Sequence, residues 1–265
     1  MTTTQTSSDN VAASIARLNG AVALVTGAGR GIGRAIAERL AHDGASLVLA
    51  DRNGARDAAQ AIGGDVLSVS CDVSDEASVQ VLFDEIRKQR GRLDIVVNNA
   101  GISPRVNGRK SLVENTSLAM WRETLDVNLT GTFLISRGAI PLLKESKRGR
   151  IINIGSIAAR MRNQYTSSYY ATSKAGMLGF SRVLAGELAV SGITVNYIAP
   201  TRIATDLAKT YSRSEEIDAF YNAAVPLGRV GVPTDVSNIV AFLASAEAAY
   251  ITGAVIDVNG GQYMP

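Results

Sequence analysis

Tyr170 and Lys174 are the two residues whose types and spacing best suit chemistry. They lie four residues apart at the start of a predicted helical stretch, so the phenol and the ammonium share one helix face. A positive charge at that distance favours the phenolate and lowers the pKa of the tyrosine towards neutrality, where the phenol can exchange a proton. Ser156 follows the apolar run 151–154, at the end of a strand where parallel sheets bind ligands. Together the three residues predict proton exchange with a substrate oxygen that Ser156 holds.

A glycine-rich turn follows the first apolar run of the chain. The order of strand, turn and helix suits a pyrophosphate, because backbone N–H groups at a helix N-terminus face the anion and side chains would block its approach. The spacing G-x-x-x-G-x-G differs from the general G-x-G-x-x-G fingerprint, so a purely structural turn is the alternative. The predicted cofactor-binding residues of this turn are Gly27, Gly29, Arg30, Gly31, Ile32 and Gly33.

Asp51 ends the second apolar run, 18 residues after Gly33. This is close to the distance of about 20 residues at which an acidic residue meets the adenosine ribose. Its carboxylate would accept hydrogen bonds from both ribose hydroxyls and repel a 2′-phosphate, which favours NAD(H). Arg30 and Arg52 are near enough to attract that phosphate, so NADP(H) stays open. A helix N-cap is the structural alternative for Asp51.

The composition excludes several classes of function. The 265 residues are 46% apolar and 19% charged, as in an ordinary globular α/β protein. A formal charge of +3 is too small to indicate a nucleic-acid-binding surface. Cys71 and His42 are the only cysteine and the only histidine, which excludes Cys/His zinc sites and Ser-His-Asp catalysis, and no metal site is predicted. No apolar run approaches the ~18 residues that span a bilayer, so no membrane partner is expected. A single thiol suits a reducing compartment, and we expect the cytoplasm.

Short β-branched apolar runs alternate with amphipathic stretches of helical length, the pattern of βαβ units and a parallel sheet. The predicted strands cover 21–26, 46–50, 66–70, 93–98, 150–154, 194–199 and 254–258. The predicted helices cover 32–43, 54–62, 75–90, 117–143, 168–191 and 233–246, with irregular helical pieces in 204–224. We expect an α/β protein in which residues 18–265 form a single Rossmann-fold domain, a doubly wound seven-stranded parallel sheet with helices on both faces. Residues 1–17 are predicted to form a flexible N-terminal tail.

Taken together, these motifs resemble the short-chain dehydrogenase/reductase family. The resemblance rests on the glycine turn, Asn98-Asn99-Ala100-Gly101, Asn128, Ser156 and the Tyr170/Lys174 pair, in the family's order over about residues 18–261. It implies that Tyr170 is the general acid/base and that Ser156 orients and polarises the carbonyl or alcohol. Lys174 would hold the nicotinamide ribose and lower the pKa of Tyr170. Asn128 would fix a water in a proton relay to Lys174.

The same resemblance extends the cofactor site and implies an assembly. Asp72 and Val73 resemble the pair that contacts adenine, and Ile203 and Thr205 resemble the clamp on the carboxamide. The further cofactor residues are Asp51, Arg52, Asp72, Val73, Asn99, Ala100, Gly101, Pro200, Ile203 and Thr205. The resemblance also implies a homotetramer, built through the helices at 117–143 and 168–191 and the C-terminal strand.

Hydride transfer between a nicotinamide cofactor and a secondary alcohol or ketone is the activity that the resemblance implies, with the hydride chemistry supplied by the cofactor. Family members that act on 3-oxoacyl groups, on sugars or polyols and on other hydroxy compounds share this machinery, so the small-molecule substrate stays open. One alternative is a non-catalytic NAD(P)-responsive binding or regulatory protein, which would need only the glycine turn and Asp51. Another is pure proton transfer on a nucleotide sugar, although related enzymes of that kind are typically longer.

Three segments are expected around the reacting end, at 102–117, 155–165 and 201–230, and the last is long enough to act as a mobile cover. The cations in these segments are Arg105, Arg109, Lys110, Arg160, Arg162 and Arg202. Arginines that point into a cleft would suit a carboxylate, a phosphate or a carrier-linked acyl group. The hypothesis is that at least one of them binds an anionic part of the substrate. Solvated loop residues are the alternative interpretation.

Overall fold

The computed structural model describes residues 17–205 and 214–265. Within these ranges, seven strands form one sheet. The strands are β1 (Val22–Thr26), β2 (Ser46–Asp51), β3 (Val66–Ser70), β4 (Ile95–Asn98), β5 (Arg150–Ile154), β6 (Thr194–Pro200) and β7 (Val255–Val258). The helices are α1 (Gly31–His42), α2 (Ala55–Ile62), α3 (Glu76–Arg90), α4 (Leu118–Leu125), α5 (Gly131–Glu145), α6 (Ser168–Ala189), α7 (Ser214–Ala224) and α8 (Pro233–Ala244).

The strand order, β3-β2-β1-β4-β5-β6-β7, places a change of direction beside β1. The chain runs outward from β1 to β3 and then returns to lay β4 on the other side of β1, with every pair parallel. In the register, Ala23 of β1 pairs with Leu47 on one side and with Ile95 on the other. Ligands bind at such a switch point, in the crevice outside the carboxyl ends of the strands. The predicted doubly wound parallel sheet is confirmed.

Helices cover both faces of the sheet because each strand presents apolar side chains alternately to the two sides. In β1, Ala23 belongs to one core, which also contains Ile36 of α1 and Val240 of α8. Its neighbour Leu24 belongs to the other core, which is built with α3, α5 and α6. Among the described residues, none of the helices combines the length and the apolar character needed to cross a membrane.

The predicted helix 117–143 is wrong in one respect, because a π-helical segment, Asp126–Thr130, separates α4 from α5. A π turn inserts one residue into an α-helical run and commonly marks a functional position. Asn128 lies inside this segment and is fully buried. From this position its side chain forms hydrogen bonds with Ile102 and Ser173 in neighbouring segments.

Two predictions reach beyond the described residues. Of the predicted tail, residues 1–16 lie outside them, and Arg17 makes a 3.7 Å ion pair with Glu247. Of the predicted irregular pieces in 204–224, residues 206–213 also lie outside, while the remainder includes α7.

Candidate active site

The glycine turn connects β1 to α1 at the crevice. Gly27 (φ +64°) and Gly31 (φ +58°) have left-handed backbone, which glycine adopts at least cost. At Gly33 a Cβ would lie 2.1 Å from the carbonyl oxygen of Gly27, so the helix can approach the turn only without a side chain. Arg30 is the N-cap residue of α1, and within the described residues its side chain makes no capping hydrogen bond to the helix. The first N–H groups of the helix are therefore available to an anion.

Thr26 and Asn99 fix the glycine turn to the end of β4. The Thr26 hydroxyl oxygen accepts hydrogen bonds from the N–H groups of Asn99 (3.0 Å) and Ala100 (3.1 Å). In return, the Asn99 amide donates to the carbonyl oxygens of Thr26 (2.9 Å) and Gly27 (3.0 Å). These four bonds set the position of the two walls of the crevice. Neither Thr26 nor the exchange of bonds was foreseen, although a hydroxyl at the end of a buried strand is a signal that could have found it.

Asp51 lies at the carboxyl end of β2, beside the glycine turn. Its two carboxylate oxygens accept hydrogen bonds from the N–H groups of Gly29 (2.9 Å) and Asn53 (3.0 Å). The next residue, Arg52, lies 3.6 Å from the carboxylate of Asp72, so its charge has an acidic neighbour. This end of the cleft therefore carries both a carboxylate and a guanidinium.

Lys174 is buried one helical turn after Tyr170 on α6, with its Nζ 5.8 Å from the centroid of the tyrosine ring. Nζ donates a hydrogen bond to the carbonyl oxygen of Ile154 at 2.8 Å. Burial lowers the pKa of Lys174 from 10.5 to about 8, because the charged form loses its hydration. The ammonium is thus held between the end of β5 and the phenol.

Ser156 lies two residues beyond β5, at the same edge of the sheet. Its hydroxyl oxygen accepts a hydrogen bond from the N–H of Ala158 at 3.1 Å. Because the oxygen accepts in that bond, the hydroxyl hydrogen can still be donated to a substrate oxygen. The backbone N–H of Ser156 donates to the hydroxyl of Tyr197 at 2.9 Å. Sequence reasoning missed Tyr197, whose one signal was a large phenol in the middle of a buried strand.

Asn128 lies behind the cleft and links three segments. Its amide oxygen accepts from the N–H of Ile102 (2.7 Å), and its amide nitrogen donates to the Ile102 carbonyl (2.9 Å) and to the Ser173 hydroxyl (3.0 Å). A Cβ at Gly101 would lie 3.3 Å from the Asn128 oxygen and 3.5 Å from the Lys174 Nζ. Asn128 and Lys174 therefore approach the same point of the backbone from two sides.

A cleft of about 370 Å³ at the carboxyl edge brings most of the predicted residues together. Those that line it are Gly27, Arg30, Gly31, Ile32, Gly33, Asp51, Arg52, Asp72, Val73, Asn99, Ala100, Gly101, Ser156, Tyr170, Lys174, Pro200, Ile203 and Thr205. Gly29 and Asn128 do not line it: Gly29 packs against the loop after β2, and Asn128 is buried behind Gly101. Within the described ranges, no cluster of three His, Cys, Asp or Glu residues could hold a metal ion.

The far end of the cleft is lined by residues that the sequence did not single out. They are Ser103, Asn163, Tyr165, Thr166, Ile217 and Tyr221. The rings of Tyr165 and Tyr221 lie 6.2 Å apart, and Phe220 packs edge-on against both. Burial raises the pKa of Tyr221, so its phenol is a neutral hydrogen-bonding group at neutral pH. Their segments were expected at the reacting end, but only their cations were considered.

The six candidate cations are divided between different surroundings. Arg105 and Arg202 line the cleft, where Arg105 donates to the Tyr165 carbonyl (3.1 Å) and Arg202 pairs with Asp218 (2.8 Å). Lys110 and Arg162 line a smaller neighbouring pocket, and Arg109 lines neither. Arg160 does not line the cleft, because it pairs with Asp257 (2.6 Å) and covers the Tyr263 ring.

The switch-point crevice, with a glycine turn at one end and polar side chains at the other, defines a Rossmann-type dinucleotide-dependent enzyme. The chain belongs to the short-chain dehydrogenase/reductase family and is an NAD(P)-dependent oxidoreductase. The family model described as Enoyl-(Acyl carrier protein) reductase matches residues 27–262.

Curated relatives and solved structures agree with this membership. The 3-oxoacyl-[acyl-carrier-protein] reductase of Escherichia coli (strain K12) is 42% identical over 247 residues, covering 92% of this chain and 98% of the relative. The corresponding protein of Aquifex aeolicus (strain VF5) is 42% identical over 255 residues, with 93% and 99% covered. The 3-ketoacyl-(acyl-carrier-protein) reductase of Brucella melitensis, solved with NADH, superposes with a TM-score of 0.85 at 34% identity and covers 93% and 100% of the two chains.

Proposed function

We propose that this protein transfers a hydride reversibly between NAD(H) and a substrate with a secondary alcohol or a ketone. The observation that carries the proposal is that Ser156, Tyr170 and Lys174 line one cleft together with the glycine turn. A dinucleotide in this cleft would extend from the turn to the phenol. A purely dinucleotide-responsive protein would need no such group of polar residues at the reacting end.

The described residues fit a nicotinamide dinucleotide. The turn offers uncapped N–H groups at α1 and glycines whose missing side chains leave the approach open. We infer that the turn holds the pyrophosphate, Asp51 the adenosine ribose and Lys174 the nicotinamide ribose. Pro200, Ile203 and Thr205, which line the same cleft, would face the carboxamide. When bound, the nicotinamide supplies or accepts the hydride.

In reduction, Tyr170 gives its phenolic proton to the carbonyl oxygen of the substrate, and in oxidation it takes that proton back. Ser156 donates its free hydroxyl hydrogen to the same oxygen and fixes the carbonyl. The Lys174 ammonium favours the phenolate that remains after proton transfer, because opposite charges attract strongly in a buried site. Asn128, behind Gly101, would hold a water that returns a proton towards Lys174.

Asp51 supports NAD(H) as the preferred cofactor. Its carboxylate lines the cleft where the adenosine ribose is expected, and a 2′-phosphate would be repelled there. Arg52, which could attract that phosphate, lies 3.6 Å from Asp72 and is partly neutralised by it. The Brucella melitensis relative was solved with NADH. NADP(H) remains the competing cofactor, because Arg30 also lines this end.

For the substrate, we infer a ketone or alcohol that carries an anionic group or is linked to a carrier. Two arginines, Arg105 and Arg202, line the far end of the cleft beside polar tyrosines. Guanidinium groups suit carboxylates and phosphates. The names of the curated relatives, which are reductases of carrier-linked 3-oxoacyl groups, support the same class.

We further infer a homotetramer that forms through α4 to α6 and the C-terminal strand. Large apolar side chains are exposed on these helices, among them Leu118, Phe133 and Val183. Side chains of this kind would be removed from water where copies of the chain pack together. Light scattering after size exclusion would measure the mass, and a monomer at micromolar concentration would contradict the inference. The cytoplasm stays a prediction that cell fractionation would test.

The test of the activity is absorbance at the reduced-nicotinamide band with a panel of alcohols and ketones. The wild type should convert one class of substrate, whereas Tyr170→Phe should lose turnover while it still binds NADH, measured by fluorescence titration. A wild type that binds NADH and converts no member of a broad panel would instead favour a regulatory protein. Tyr170→Phe with wild-type turnover would contradict the assigned acid/base.

A further inference from the structure

Tyr197 lies in β6 and is 1% exposed. Its hydroxyl oxygen accepts the hydrogen bond from the N–H of Ser156 at 2.9 Å and lies 3.2 Å from the carbonyl oxygens of both Ser156 and Lys174. Tyr197 does not line the cleft. One buried phenol therefore contacts the backbone of the two segments that carry the proposed reacting groups.

The ring of Tyr197 is fixed by close packing. A Cβ at Gly155 would lie 1.7 Å from the ring carbon Cζ, so the ring occupies the space that a side chain would otherwise take. Ile157 and Met177, from the same two segments, belong to its buried cluster. The hydroxyl cannot shift without moving the backbone on either side.

The hydrogen-bonding capacity of the phenol matches its surroundings. A phenol has one hydrogen to donate and can accept as well, and here it accepts from Ser156 and shares its hydrogen between two carbonyls. Burial raises the pKa of Tyr197, so its phenol stays neutral at the pH values at which the protein is folded and assayed, and it is not a second acid/base. Its role is therefore to hold the backbone in place and not to transfer a proton.

We propose that Tyr197 is a positioning residue that fixes the separation between Ser156 and the Tyr170/Lys174 pair. The inference rests on the proposed function, because it assigns a role for the distance between those groups. A misplacement of about 1 Å in an active site can lower a rate by about 100-fold. Loss of the hydroxyl should therefore slow catalysis although no atom of Tyr197 faces the substrate.

The first experiment compares Tyr197→Phe, which keeps the ring, with a matched control. We expect kcat to fall by about 10- to 100-fold, while the Kd of NADH stays within about twofold because the glycine turn is untouched. Tyr169→Phe is the control: Tyr169 is equally buried, and its hydroxyl donates to the Pro104 carbonyl at 2.7 Å without touching Ser156. Its kcat should change by less than about threefold. A kcat within twofold of wild type for Tyr197→Phe would overturn the inference.

The second experiment asks whether Tyr197 acts through Ser156. In a Ser156→Ala background, Tyr197→Phe should have little further effect on kcat, whereas a general structural role would multiply the two losses. If the loss of kcat in the double variant equals the product of the losses in the two single variants, the proposal is overturned. Where Ser156→Ala turns over too slowly to measure, amide hydrogen exchange at Ser156 decides instead. Exchange should be faster in Tyr197→Phe than in wild type and unchanged in Tyr169→Phe, and equal protection in all three would overturn the proposal.

The same variants separate this inference from the proposed function. If Tyr170→Phe keeps wild-type turnover, the assigned acid/base fails, whatever Tyr197→Phe does. If Tyr170→Phe and Ser156→Ala lose turnover and Tyr197→Phe keeps it, only the positioning role fails.

Discussion

Lys174 donates from Nζ to the carbonyl oxygen of Ile154 at 2.8 Å, so a buried ammonium ties α6 to the last residue of β5. The same ammonium lies near the ring of Tyr170. The one ammonium therefore holds α6 against β5 and also acts electrostatically on the Tyr170 phenol. Its cost is the desolvation of a cation inside the fold, and that cost depends on pH.

The free energy of unfolding of the apoprotein should rise with pH above about 8 because of Lys174. Its folded pKa of about 8 lies below the ordinary 10.5, so between these values the unfolded chain binds more protons than the folded one. Up to pH 8 the full cost of burying the charge is present, and it is relieved as the pH rises towards 10.5. The full relief is about 3 kcal/mol at 1.36 kcal/mol per pKa unit.

Urea unfolding of wild type and Lys174→Met from about pH 7 to about pH 10 measures this relief. The difference in the free energy of unfolding, wild type minus variant, should grow in favour of wild type with increasing pH. A difference that stays flat across this interval would mean that Lys174 keeps an ordinary pKa in the folded protein.

Gly155→Ala should destabilise the fold by about 3 kcal/mol or more, because overpacking a dense core is costly. The added Cβ would lie 1.7 Å from a carbon of the Tyr197 ring. In a Tyr197→Val background the ring is absent, so the same substitution should cost clearly less. Thermal and urea unfolding of the four proteins test this coupling. Equal costs in both backgrounds would refute the assigned clash.

Asp51→Asn should shift cofactor preference towards NADP(H). The amide can still accept the hydrogen bond from Gly29, but the negative charge that repels a 2′-phosphate is gone. We expect the Kd of NADP(H) to tighten by about tenfold, or about 1.4 kcal/mol. Asp57→Asn, an exposed carboxylate in the first turn of α2, is the control for net charge. Fluorescence titrations at one ionic strength should show the shift only for the first variant.

Arg105→Gln should lower kcat/KM for a keto acid more than for a neutral ketone of the same size. Arg105 lines the far end of the cleft, where a guanidinium would pair with an anionic group. The expected loss is about tenfold on the acid and small on the neutral ketone. Arg109→Gln, exposed and outside the cleft, should alter neither value. Equal losses on both substrates for Arg105→Gln would remove the anionic-group hypothesis.

The sequence predicted the sheet well because short β-branched apolar runs and amphipathic helical stretches are local patterns. It also predicted that residues as distant in sequence as Asp51 and Tyr170 would lie at one edge of the sheet, since parallel strands bring their carboxyl ends together, and both line the cleft there. The π-helical turn around Asn128 was missed because local helix propensity does not indicate it. The hydrogen bonds that Asn128 makes there go to Ile102 and Ser173, which are distant in sequence.

Tyr197 was missed for a related reason. A tyrosine in a buried strand is ordinary in sequence, and its importance depends on which backbone atoms the fold brings within reach of the hydroxyl. The roles of Arg105, Arg202 and Arg160 could not be separated either, because side-chain direction in loops depends on partners such as Asp218 and Asp257.

Helix α7 carries a separate consequence. Its buried residues Ile217 and Tyr221 form a small cluster with Val225, which follows the helix, apart from the two large cores on either side of the sheet. Ile217 and Tyr221 also line the far end of the cleft. We therefore expect that exchanging the side chains of this helix at the cleft alters which molecules the enzyme accepts, at small cost in thermal tolerance, because the helix lies outside the two large cores.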